Sequence, residues 1–117
     1  MANPITEKLK IGTIGELLVQ LRLLEYGVQA APPIKDSGND LIAIRSRAVK
    51  FVQVKTSENG IPEVRNLPKI WDIVCLVELK RNSAGKLTLD KSKINVLEKD
   101  KIEKKELGQE LVNMIWK

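Results

Sequence analysis

Two short apolar runs, Leu41–Ile44 and Phe51–Val54, flank a polar connection and constrain the fold more than any other feature of the chain. They read as the two strands of one hairpin, with Arg45, Ser46, Arg47 and Ala48 between them and the second strand spanning Val49–Thr56. Side chains along a strand alternate with period two, so Gln53 and Lys55 share a face. Asp40 opens the first run and can lie across from them. The turn before it, Lys35–Asn39, gathers Asp36, Ser37, Gly38 and Asn39, all turn formers.

The elements around this hairpin follow from spacing. Thr6–Tyr26 is expected to be a helix, with Thr6 as N-cap and Gly27 as its stop. Its apolar stripe is read as Ile11, Ile14, Leu17, Leu18, Leu21 and Leu24. Gly12 and Gly15 are unfavourable inside a helix and suggest a close approach to a sheet. Val28–Ile34, ended by Pro32 and Pro33, suits an edge strand. Leu41–Ile44 lacks alternation, as in a strand covered on both faces. Ser57–Gly60 reads as a loop and Ile61–Lys69 as irregular. Trp71–Leu79 is the most apolar run and is expected at the sheet centre. Lys80–Gly85 should turn, and Lys86–Leu89 should return as a short strand. Asp90–Glu106 mixes six lysines with five acids and reads as a solvated, partly helical stretch. Leu107, Leu111, Val112 and Ile115 share a helical face, so a closing helix is expected from about Lys101 to Trp116. The expected fold is α/β (α+β): one domain over 1–117, with a mixed central sheet flanked by helices, in the order α-β-β-β-β-β-α.

Composition narrows the chemistry. The chain has no histidine, which removes histidine-based zinc sites, histidine general bases and Ser–His or Cys–His nucleophile pairs. Cys75 stands alone in an apolar run and is expected to be a buried structural thiol. The formal charge of +5 favours a polyanionic partner. Aromatic residues are only 3%, which disfavours a base-stacking platform for single strands. No apolar run reaches membrane-span length, and the N-terminus carries no signal-peptide pattern. The expectation is therefore no membrane association and a cytoplasmic location, in the cytosol or nucleoid of a prokaryotic cell.

An acid, an amide oxygen and an ammonium gathered at a sheet edge suggest a divalent-metal site for cutting a phosphodiester. Mg²⁺ or Mn²⁺ accepts hard oxygen ligands, of which Asp40, the Gln53 amide and the Val54 carbonyl are candidates. Lys55 can then hold the attacking water or the scissile phosphate. Glu16, beside the glycine pair on the first helix, is a candidate to bind a metal-bound water or a second ion. Arg45, Arg47 and Lys50, and in the later hairpin Lys80, Arg81 and Lys86, are candidates for phosphate contacts.

The order of these residues resembles a known group. Glu16 on a leading helix, Ser37–Asp40 opening a strand and Gln53–Lys55 on the next are similar to the PD-(D/E)XK nuclease superfamily. The likeness is nearest to its small Holliday-junction-resolvase-like and restriction-endonuclease-like domains. It covers about residues 6–57, and the Trp71–Leu79 strand and closing helix also fit. The resemblance implies a restriction-endonuclease-like core and a metal-dependent endonuclease acting on duplex or branched DNA, with Glu16, Asp40, Gln53 and Lys55 as catalytic residues. The Gln at 53, where many members carry an acid, is a Q-x-K variant and lowers the site's negative charge by one. Cutting two strands needs two sites, so a homodimer is expected, with the apolar strand and last helix as candidate interface. Two other classes compete: a non-catalytic nucleic-acid-binding or assembly module on the same fold, and a protein-interaction domain with incidental charge, such as a defence or toxin component.

Overall fold

In a computed structural model, described for residues 5–34, 40–67 and 70–117, helix α1 (Glu7–Glu25) leads into six strands. These are β1 (Gln29–Ala31), β2 (Leu41–Arg45), β3 (Ala48–Ser57), β4 (Ile73–Arg81), β5 (Leu87–Glu98) and β6 (Lys105–Glu106), followed by α2 (Gln109–Ile115). They form one sheet in sequential order, and among these pairs only β3–β4 is parallel. The mixed α+β architecture expected from the sequence is therefore present, with β6 as an added short strand. The turn Lys35–Asn39 lies outside the described residues.

Helix α1 begins where its cap directs. The Thr6 hydroxyl accepts the Leu9 N–H at 3.2 Å, satisfying an orphan donor of the first turn. The helix stops at Gly27, whose φ of +88° is strained for any residue with a side chain. Its buried side is Gly15, Leu18, Val19 and Leu23. The expected stripe is corrected accordingly: Leu17, Leu21 and Leu24 are exposed. Apolar residues surround this helix, so spacing alone could not choose the face. The choice is made at Gly15. A Cβ there would lie 1.9 Å from Thr56 Oγ1, so only glycine lets α1 settle onto β3. Gly12 meets no such neighbour.

Helices α1 and α2 close over the same face of the sheet. Leu18, Val19 and Leu23 join Leu41, Ala43, Val52, Val54, Cys75, Val77, Ile94, Val96, Val112, Ile115 and Trp116 in one core. The Trp116 indole donates to the Ala43 carbonyl at 3.1 Å, fixing α2 against β2. Cys75 is wholly buried, and burial pushes its thiol up to about 12, which makes it inert. β4 is central, and Ile73–Val77 are all buried.

Three boundaries differ from the sequence reading. β2 is not covered on both faces: Leu41 and Ala43 are buried while Ile44 is exposed. β5 is no short return strand, because it runs to Glu98 and pairs with β4 along most of its length. It is broken by an irregularity between Glu78 and Lys80, where Ser92 accepts the Lys80 N–H and donates to the Thr88 carbonyl. That detour holds the charges of Asp90 and Lys91, which made the strand look finished at Leu89. The closing helix is only Gln109–Ile115, though Leu107, Leu111, Val112 and Ile115 are buried as their spacing implied.

Substitution at the two helix glycines should separate their roles. Gly12→Ala is expected to raise stability by up to about 1 kcal/mol from helix propensity alone. Gly15→Ala should lower it by more than about 1 kcal/mol, because α1 or Thr56 must move. Chemical denaturation of the two variants checks both signs.

Candidate active site

β2 begins opposite Val52, so β3 runs on past it from Gln53 to Ser57. Asp40 sits at that step. Its N–H donates to the Val52 carbonyl at 3.1 Å, and its Oδ2 accepts the Val54 N–H at 2.8 Å. The carboxylate thus continues the sheet where β2 stops. A residue in a ladder turns its N–H and C=O toward the same neighbouring strand, so the Val54 carbonyl faces the Asp40 side too. Residue 40 therefore lies against the Gln53–Lys55 segment, as the hairpin reading required.

Gln53 and Lys55 pair in register with Val74 and Leu76 of β4 and share their face of the sheet. The Gln53 Oε1 is buried and accepts no hydrogen bond. A buried amide oxygen without a donor is costly, and such atoms commonly mark a missing partner. Lys55 is half-buried and makes no ion pair among the described residues. It lines an open cleft between α1 and β3 together with Gly12, Glu16, Val54 and Ser57.

Glu16 enters this cleft because its neighbour Gly15 presses α1 onto Thr56. Burial raises the Glu16 carboxyl above its ordinary value, and the nearby charge of Asp40 raises it further. The carboxylates of Glu16 and Asp40 are thus near enough for the first to feel the charge of the second. They repel unless a proton or a cation intervenes. Among the described residues no three histidine, cysteine, aspartate or glutamate side chains gather into a cation cage. Asp40 and Glu16 lie toward this end of β3, whereas the Gln53 side chain turns to the sheet face away from the helices, with Val74 and Leu76.

The two basic clusters part company. Arg45, Arg47 and Lys50 surround the β2–β3 turn; at ~3.3 Å per residue Lys50, opposite Ala43, is about 10 Å along the strand from Asp40 and Arg45 about 17 Å. Arg45 also donates to Asn113 Oδ1 at 2.7 Å. Lys80 and Arg81 lie at the site end of the sheet, since β4 runs parallel to β3. Both are paired: Lys80 with Glu78 at 3.2 Å, and Arg81 with Glu58, with Glu7 at 3.8 Å and with the Gly85 carbonyl. Lys86 is exposed nearby. Glu78 was not singled out from sequence. It is the register partner of Ser57 and holds Lys80 on the sheet face that carries Lys55. An acid near the end of the apolar run Trp71–Leu79, which also carries Asp72 at its start, was the available signal. The proposed interface of apolar strand and last helix is also corrected, because Ile73–Val77 and the apolar side of α2 are consumed in the protein's own interior.

No known family profile matches the chain, and no curated protein matches it by sequence. In structure it is similar to a bacterial homing endonuclease, with a TM-score of 0.53 over 88% of this chain and 79% of that one. The two are 16% identical, so the likeness is one of fold. No helix among the described residues is long and apolar enough to cross a membrane.

The raised Glu16 carboxyl has a signed consequence for stability. The folded state holds this proton more tightly than the unfolded chain, so its contribution is complete below the ordinary value of 4.5. It is lost as pH rises through the raised folded value. Glu16→Gln is therefore expected to stabilise the protein at pH 7 by less than about 1 kcal/mol, given solvent screening. The gain should fade below pH ~4, where the carboxyl is protonated in both states. Thermal melts at the two pH values test this.

Proposed function

We propose that the chain is a metal-dependent DNA endonuclease of PD-(D/E)XK type, hydrolysing phosphodiester bonds with an activated water. The observation that carries the reading is the Asp40 carboxylate bonded to the Val54 N–H, beside a buried Gln53 Oε1 that lacks a donor. The fold likeness to a homing endonuclease supports a nuclease-like function at the coarser level.

Asp40, the Gln53 amide oxygen and the Val54 carbonyl would hold Mg²⁺ or Mn²⁺, with Glu16 reaching it directly or through a water. The cation supplies Lewis acidity and lowers the pKa of water at the phosphorus. The protein's own groups do the rest. The Val54 N–H holds the Asp40 carboxylate by one oxygen and leaves the other for the cation. Lys55 carries a positive charge on the same segment and can orient the incoming water or a phosphate oxygen. Gln53 leaves the site one charge less negative than an acid would, which softens repulsion between Asp40 and Glu16. DNA approaching the open end of β3 meets Lys55, Lys80 and Lys86 before the carboxylates. A cytoplasmic or nucleoid setting accords with that substrate.

A non-catalytic nucleic-acid-binding module is the second reading, favoured by the amide at 53 and by the ion pairs that occupy Lys80 and Arg81.

Cleavage assays on duplex and branched DNA with Mg²⁺ or Mn²⁺ decide between them. Asp40→Asn keeps an acceptor for the Val54 N–H, so it should fold normally and lose at least about 100-fold in rate, as should Lys55→Ala. Salt-sensitive DNA binding with no cleavage by the unaltered protein would select the second reading. Gln53→Glu adds an acid beside two others. Its melting temperature should fall without divalent cation and recover when Mn²⁺ is added, by more than that of the unaltered protein.

A further inference from the structure

Arg81 closes β4 at the same end of the sheet as Lys55, and every nitrogen of its guanidinium is taken. Its Nε donates to Glu58 Oε1, its Nη1 donates to the Gly85 carbonyl at 2.8 Å, and its Nη2 lies 3.8 Å from Glu7 Oε1. The three partners come from separate elements. Glu7 stands in the first turn of α1, Glu58 directly follows β3, and Gly85 lies in the turn between β4 and β5. Both acids line the cleft that holds Glu16 and Lys55. Glu7 is shared with Lys10 at 3.9 Å, so Glu58 is the acid given over to Arg81. Neither member of that pair is sealed from water: the Arg81 side chain is 39% exposed and that of Glu58 31%.

We propose that Glu58 is a built-in competitor for the nucleic-acid backbone. It holds Arg81 with a carboxylate where a phosphate would otherwise bind, and Arg81 becomes a phosphate contact only when a phosphate displaces that acid. The inference rests on the reading of this cleft as a nucleic-acid site. Carboxylate and phosphate oxygens accept the same fork of guanidinium donors, so one substitutes for the other without a change of geometry at Arg81. A part-exposed ion pair is weak, which leaves it open to displacement by a dense run of phosphates. The exchange trades one anionic partner for another, so it releases no net counterion and adds little affinity. It also leaves the Glu58 charge facing the polyanion. Arg81 is thereby kept from holding nucleic acid indiscriminately, and the positive charge offered freely in the cleft is that of Lys55.

Anisotropy of a labelled DNA duplex, titrated without divalent cation at several salt concentrations, tests this. Glu58→Gln keeps the side chain's shape and removes its charge. It is expected to tighten binding roughly three- to fivefold at low salt, the scale of one surface ion pair. The slope of log K against log salt should steepen by about 0.9, the value for one further phosphate contact. Glu110→Gln makes the same charge change in the first turn of α2, outside the cleft, and should do neither. In an Arg81→Ala background, Glu58→Gln should produce no gain. Equal tightening by Glu110→Gln, or a gain that persists without Arg81, reduces the effect to net charge and overturns the proposal. Binding that Glu58→Gln leaves unchanged overturns it alone, while the nucleic-acid reading stands. No binding by any variant overturns both. If the circular dichroism of Glu58→Gln departs from that of the unaltered protein, Glu7→Gln takes its place, with a smaller gain expected from its longer contact and the same dependence on Arg81.

Discussion

The contact between Gly15 and Thr56 is the constraint on which the rest of the structure depends. α1 is apolar on more than one side, and its sequence would allow it to dock in several rotations. One of them puts a residue without a side chain against β3, and the structure takes that one. The consequence reaches in two directions. Leu18, Val19 and Leu23 are committed to the core, and Glu16 is carried into the cleft beside β3. A helix acid that would elsewhere be solvated is thereby brought near enough to Asp40 to feel its charge. Packing, more than any local preference of Glu16, assembles the candidate site.

The second determinant is the stagger of β2 against β3. A strand that outruns its neighbour presents backbone groups with no ladder partner, and a sheet must satisfy them by other means. Asp40 does so for Val54. Asp72 does the same lower down, where its carboxylate accepts the Phe51 N–H at 2.7 Å. The two aspartates are not equivalent, however. Both donate a backbone N–H to a β3 carbonyl, Asp40 to Val52 and Asp72 to Phe51, but Asp72 also accepts from the Lys99 N–H, which ties it to the end of β5 as a joint of the fold. Asp40 lies where β2 begins, bonds β3 through one carboxylate oxygen, and is near enough to Glu16 to act on its charge.

How much of this the sequence disclosed depends on whether the deciding interaction was local. The limits of α1 were legible because Thr6 and Gly27 act within a turn of themselves. The β2–β3 hairpin was legible because period two and a short connection specify it, and with it the meeting of Asp40 with residues 53–55. The buried face of α1 was not legible, since Gly15 acquires its meaning only from Thr56, some forty residues away in the chain. β5 was misread because a register break filled by Ser92 lets charged residues interrupt a strand that resumes afterwards. The pairing of Arg81 with Glu58 and Glu7 was equally hidden, being set by three separate elements. A cluster of basic residues in sequence gives no sign of whether its charge is already taken.

β3 itself shows how one strand can divide its labour along its length. Its residues at 52 and 54 face the helices and belong to the core. Its other face changes character at Gln53: Val49 and Phe51 before it are apolar, and Gln53 and Lys55 from there on are polar. That change falls where β2 ends and Asp40 replaces it as a neighbour. A strand flanked by β2 on one side and the edge beyond can be apolar, because its backbone is satisfied and only its side chains meet the outside. Beyond the step Val54 turns its N–H to Asp40, while Gln53 and Lys55 pair with β4 and supply the polar side chains. The stagger of the hairpin thus fixes where an apolar surface must give way to a polar one.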